Sequence, residues 1–217
     1  MGEGEAPDTE WVTAMATIEP KSGTAAQGPT TRRTVLPGAP PFTVDDLLEF
    51  PDDGNRYELF NGSLLVSPAP TPLHQRVITR LMITLQSAAP PELECLTTVN
   101  VGYSNENFYI PDLVVVPEEV SDGVDLMYSP GDLLLAVEVV SPSSKSVDRA
   151  AKVEAYAEAG IPLYWRVEPM EGPRIYVYEL DGHSYAGPAV HKAGNLVTLS
   201  APFSVTFDPA RLMRPRG

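Results

Sequence analysis

The sequence predicts an α/β domain of the mixed α+β kind, a mixed β-sheet flanked by helices. Three observations carry that expectation. The run Leu133-Leu134-Leu135-Ala136-Val137-Glu138-Val139-Val140 is apolar except for one carboxylate and is bounded by Gly131-Asp132 and Ser141-Pro142, the pattern of a strand buried on both faces. Asn61-Gly62 joins two strand-like segments, a strong hairpin signal. Apolar residues recur at helical spacing over 73–89, where Val77, Ile78, Leu81, Met82 and Leu85 share one face.

The elements follow in order. Residues 1–40 lack apolar periodicity and are rich in Gly, Pro, Ala, Thr and Glu, so they read as a disordered N-terminal tail, with residues 41–217 as one domain. Thr43, followed by Asp45 and Asp46, reads as the cap of a short helix that stops at Pro51. Residues 56–60 and 63–66 are the hairpin strands, and the Pro-rich segment 68–72 is a stiff connector into the helix over 73–89. Strands are expected at about 93–102 and 108–116, then an acidic loop over 117–131. After the apolar run a helix spans about 146–159, with Gly160 just past its end and Pro162 beyond. Strands at 163–168 and 174–180, a turn at Asp181-Gly182, and short strands at 196–199 and 203–207 complete a count of two or three helices around the sheet.

Composition narrows the function classes. The 217 residues carry a formal net charge of −14, which opposes broad, sequence-independent attraction to nucleic acid because phosphate contacts need Lys and Arg. A local basic patch or a bound metal can overcome that deficit. The lone cysteine, Cys95, lies among apolar neighbours and reads as a buried, inert thiol. The opening Met1-Gly2-Glu3-Gly4-Glu5 has neither a secretory nor a myristoylation pattern, and no apolar run reaches the roughly 18 residues of a membrane span, so a cytoplasmic protein is expected. Walker A, Gly-x-Gly-x-x-Gly and Gly-x-Ser-x-Gly patterns are absent from the sequence, so nucleotide-dependent transfer and triad hydrolysis have no support.

The chemistry starts from Glu138. A lone carboxylate in a buried strand must find a cation, a metal or a proton. Asp112 opens a second apolar run, 113–116, and reads either as a turn aspartate or as a second acid facing the same pocket. Glu58, on the hairpin strand, is either a solvent-facing acid or a third oxygen ligand. Asp148, Lys152 and Tyr156 share a helix face at i, i+4, i+8. The Asp148–Lys152 pair either stabilises the helix by about 0.2–0.5 kcal/mol or leaves Lys152 pointing back at the strand acids. His74 opens a helix and reads first as a surface residue, with a catalytic or phosphate contact as the lesser alternative; Ser141 and Ser143 read first as caps of the following helix, with contact to metal-bound water as the alternative. Carboxylates without Cys or paired His suit Mg²⁺ or Mn²⁺ rather than zinc.

These residues occur in a familiar order: Pro111-Asp112 before an apolar run, Val137-Glu138-Val139-Val140-Ser141-Pro142-Ser143, Asp148-Arg149 with Lys152 and Tyr156, then Gly160-Ile161-Pro162 and Tyr164-Trp165. Arg56-Tyr57-Glu58-Leu59, the Asn61-Gly62 turn and His74 extend the match. Over about residues 42–207 the chain resembles the Uma-two family of restriction endonucleases, within the PD-(D/E)XK nuclease superfamily. The resemblance implies a restriction-endonuclease-like core, Asp112 and Glu138 as metal ligands, and Glu58 as a supporting acid. It departs from the superfamily in one respect. The lysine that usually follows the second acid by two residues is Val140 here, so Lys152 on the next helix would supply the amine.

The resulting expectation is a Mg²⁺- or Mn²⁺-dependent endonuclease. Asp112, Glu138, Lys152 and Glu58 are its catalytic residues, and His74, Asp148, Tyr156 and Ser141 support them. Its substrate is nucleic acid, DNA more than RNA, and a homodimer is the assembly considered, since double-strand cleavage profits from two sites. The alternatives are a catalytically silent nuclease fold serving as an interaction or regulatory module, and an enzyme acting on some other phosphate ester.

Overall fold

A computed structural model describes residues 36, 38–67, 69–141 and 145–213, with the side chains of 145–150 outside the description. The expected disordered tail therefore lies outside the described residues, apart from 36 and 38–40. So do Ser143 and the side chain of Asp148.

The described chain runs α1 (Val44–Leu48), β1 (Arg56–Phe60), β2 (Ser63–Ser67), α2 (Pro72–Gln86), β3 (Leu93–Leu96), β4 (Val101–Ser104), β5 (Asn107–Tyr109), β6 (Leu113–Pro117) and α3 (Glu118–Ser121). It continues through β7 (Leu135–Val139), α4 (Lys145–Glu158), β8 (Leu163–Glu168), β9 (Arg174–Asp181), β10 (Ser184–Tyr185), β11 (Ala189–Lys192), β12 (Val197–Leu199) and β13 (Val205–Phe207). The mixed α+β class expected from the sequence is the class observed.

Two sheets do most of the building. A four-stranded sheet has the order β2-β1-β5-β4. The larger sheet has the order β10-β9-β8-β7-β6-β3, and β11 pairs with the other end of β9. Only β7 and β8 pair in parallel within it, joined through α4; the remaining pairs are antiparallel. A ribbon of β12 and β13 closes over one face.

β7 explains the core. All five of its residues are buried. Leu135, Val137 and Val139 pack with Val77, Ile78, Leu81 and Leu85 of α2 and with Phe203, Val205 and Phe207. Ala136 lies in the opposite cluster with Tyr156 and Tyr164. Strand alternation puts Glu138 on that second face, beneath α4.

Local chemistry sets the element ends. The Thr43 hydroxyl accepts from Asp46 N at 3.2 Å while Thr43 N donates to Asp46 Oδ2 at 2.8 Å, a capping box on α1. The β1–β2 turn places Asn61 at φ +48 and Gly62 at φ +71, the left-handed pair that a two-residue hairpin needs. α4 ends in a Schellman arrangement: Ile161 N donates to Tyr156 O at 3.0 Å and Gly160 N to Ala157 O at 3.0 Å, with Gly160 at φ +80.

Three expectations are corrected. The strands read at 93–102 and 108–116 each break in two, because the chain changes sheets at residues 97–100 and 110–112. The acidic segment 117–131 contains α3, which brings the described α-helices to four. β11, a short exposed strand, has no counterpart in the sequence reading.

Candidate active site

Hydrogen bonding decides how the acids meet. β6 and β7 pair with Leu113 opposite Val137, so Asp112 stands level with Glu138 at the end of the sheet. There Val139 N donates to Asp112 Oδ2 at 2.8 Å. Asp112 lies in the 110–112 crossover between the two sheets. The hairpin strand ties that crossover down: Ile110 N donates to Glu58 Oε1 at 3.0 Å, and Arg56 Nη2 donates to Ile110 O at 3.2 Å and to Asp112 Oδ1 at 3.1 Å. Arg56 and Glu58 are two residues apart on β1 and so face the same side.

α4 completes the cluster. Lys152 Nζ donates to Glu138 Oε1 at 2.8 Å and lies 3.3 Å from Glu58 Oε1. Tyr156, one turn on, donates its hydroxyl to the same Glu138 oxygen at 2.6 Å. Its ring is held edge-on between Tyr109 and Tyr164, with both centroids 5.3 Å away. From α2, His74 Nε2 meets Asp112 Oδ2 at 3.0 Å. The Thr71 cap and Pro72 at the helix start set the turn that carries His74.

Glu58, Asp112, Glu138 and Lys152 are therefore all buried, within one hydrogen-bonded network. The open question over Glu58 resolves to an inward-facing acid. His74 is corrected: it is buried against Asp112 rather than exposed. Val140, at the position where the superfamily carries its lysine, is a buried core residue, and Lys152 brings its amine to the acids from the helix. Ser141 follows β7 half-buried. Cys95 is buried, and burial pushes its thiol up to about 11.

Burial disfavours the Asp112 charge, but the His74 contact, Arg56 and Lys152 outweigh it and hold the carboxyl below its ordinary range. Burial likewise opposes the Arg56 charge, and Asp112, Glu138 and Glu58 more than offset it. Tyr156 is pushed well above the usual phenol range by burial and by the charges of Glu138 and Glu58, so it acts as a donor.

Arg56 is the member of the cluster that the candidate residues lacked. A signal existed in the sequence: once Glu58 points inward, strand alternation carries Arg56 with it. Arg166 is a second omission. It pairs in register with Glu138 across β7 and β8, donates to Tyr178 at 2.7 Å and lies over the Tyr176 ring at 4.3 Å.

Among the described residues, no three His, Cys, Asp or Glu side chains converge as a ready metal-ligand set. The donor chemistry suits a hard divalent cation: oxygen ligands from Asp112 and Glu138, Glu58 beside them, and no thiolate. In this conformation Arg56 bonds Asp112 Oδ1, and Lys152 lies against Oε1 of both Glu138 and Glu58.

A profile of the family called Uma2, described as "Putative restriction endonuclease", matches residues 44–210. The crystal structure of a "putative nuclease belonging to DUF820" from Anabaena variabilis is similar at a TM-score of 0.64 and 16% identity, over 79% of this chain and 97% of that one. At that identity the likeness shows a shared fold. No curated protein matches in sequence.

Proposed function

The chain belongs to the Uma2 family, and from that premise we propose that it is a divalent-metal-dependent endonuclease hydrolysing phosphodiester bonds of nucleic acid, with DNA as the preferred substrate. One observation carries the reading: two buried carboxylates, Glu138 and Glu58, share one buried lysine, and a third, Asp112, stands level with Glu138 at the same end of the central sheet. Restriction-endonuclease-like proteins generally use a divalent metal, and Asp112 and Glu138 would hold it, with Glu58 in support. When bound, such an ion supplies Lewis-acid polarisation of a phosphoryl oxygen.

The chain's own groups do the rest. Lys152, with its ammonium fixed by Glu138 and Glu58, offers a preorganised donor to the attacking water and to the charge growing on phosphorus. Tyr156 holds the Glu138 carboxylate, and His74 and the Val139 amide hold that of Asp112. Water adds to phosphorus, one P–O ester bond breaks, and the departing oxygen takes up a proton. Ser141, after β7, and Asp148, whose side chain lies outside the described residues, are proposed as further supporting residues.

The test is incubation with plasmid, linear and single-stranded DNA and with RNA, in Mg²⁺, Mn²⁺, Ca²⁺ or EDTA. Cleavage is expected in Mg²⁺ and Mn²⁺ alone, and is expected to vanish in Asp112→Asn and Glu138→Gln. A second reading, a silent nuclease fold, draws on the pairing of Asp112 with Arg56 and His74. Absence of cleavage together with absence of metal binding by the folded protein would favour it.

A further inference from the structure

We propose that Arg56 is a displaceable cation of the acid pocket: it neutralises Asp112 while no metal is bound and turns to the substrate's phosphodiester when one is. This rests on the metal-dependent reading above.

Geometry is the first argument. Only Nη2 of Arg56 bonds Asp112, at 3.1 Å, and the same nitrogen is shared with Ile110 O. The buried Nε has no hydrogen-bond partner among the described residues. The two-point fork that makes arginine–carboxylate pairs strong is therefore not used, and the pair exchanges more readily than a bidentate one. A guanidinium with an unused donor gains a partner by turning to a second anion.

Position is the second. The Arg56 side chain is 21% exposed, against 2% for Asp112 and 1% for Glu58. Lys152, at 3%, and Glu138, at 4%, lie as deep. Arg56 therefore stands on the solvent side of the cluster, where a polyanion would first meet it.

Charge is the third. At their ordinary charges, Glu58, Asp112 and Glu138 against Arg56 and Lys152 leave one negative charge among these five groups. A divalent ion turns that into one positive charge, which a phosphodiester monoanion then balances. An internal cation that moves from acid to phosphate keeps the pocket near neutrality in both states, in a chain whose net charge of −14 otherwise repels DNA.

Calorimetric titration of Mn²⁺ into the full chain, without nucleic acid, tests this on wild type, Arg56→Gln and Asp112→Asn. Arg56→Gln is expected to bind Mn²⁺ ~10-fold more tightly, since a cation competing for Asp112 is gone, and to bind a fluorescein-labelled DNA duplex in Ca²⁺ more weakly. A merely structural Arg56 predicts weaker Mn²⁺ binding instead. Unchanged or weaker Mn²⁺ affinity in folded Arg56→Gln, with wild type binding and Asp112→Asn not, overturns this proposal alone. No Mn²⁺ binding by wild type or Arg56→Gln overturns it together with the metal-dependent reading. If Arg56→Gln does not fold, the Arg56 Nε–H resonance of the wild type decides: saturating Mg²⁺ must shift it, and an unmoved signal overturns the proposal.

Discussion

Lys152 carries the charge balance of the buried acids, because its ammonium serves Glu138 and Glu58 together. Lys152→Met removes the ammonium that the two carboxylates share and should lower unfolding stability by about 3–5 kcal/mol, the usual cost of breaking a buried pair. Urea denaturation measures this. The double variant Lys152→Met/Glu138→Gln should lose less than the two single changes summed, since they share one interaction. Asp112 supplies a pH signature. Its folded-state carboxyl titrates below the ordinary value of 3.8, so its contribution is complete above that value and is lost as pH falls through the folded one. Asp112→Asn should flatten the acid limb of a stability–pH curve, and an acid limb of unchanged slope would contradict the pairing. At this scale the sequence showed the acids and the lysine, because a carboxylate inside an apolar run announces its own cost. It hid Arg56 and the burial of His74. A single Arg on an alternating strand and a His in a first helical turn look like surface residues until the facing strand is known.

At the level of elements, turn chemistry and periodicity were the legible parts. Asn61-Gly62 marked the hairpin that orients Glu58, and the spacing of Val77, Ile78, Leu81 and Leu85 marked α2. Gly62 also invites a test. A Cβ there would lie 2.5 Å from Pro41 Cβ, in a backbone already at φ +71. Gly62→Ala should therefore destabilise by more than ~1 kcal/mol, beyond the gain that a Gly→Ala change gives at a compatible site; the thermal midpoint reads it. The sheet changes at 97–100 and 110–112 were not legible. Apolar residues continue on both sides of each, and only the long-range pairing of β3 with β6 and β5 with β1 separates them. β11 escaped because an exposed edge strand needs no apolar alternation.

Across the whole molecule, the family and the fold agree while the charge does not suit a general DNA binder. The family profile spans 44–210, which includes each proposed catalytic residue. No described helix is long and apolar enough to cross a membrane. An acidic nuclease that touches few phosphates should show a shallow salt dependence: a log–log slope of duplex affinity against salt on the order of −2, where extensive phosphate contacts give values near −10. Anisotropy titrations in Ca²⁺ at several salt concentrations measure it, and a steep slope would point to a basic surface beyond the pocket.

The backbone hydrogen bonds of the pocket have a spectroscopic consequence. Ile110 gives its amide proton to Glu58, and Val139 gives its own to Asp112. Glu58 and Asp112 thus each have a main-chain reporter, one in the crossover at 110–112 and one at the end of β7. Their amide resonances and solvent-exchange rates follow the charge on each carboxylate without any label or substitution. Two assigned peaks would give a continuous record of the pocket as ions and polyanions are added.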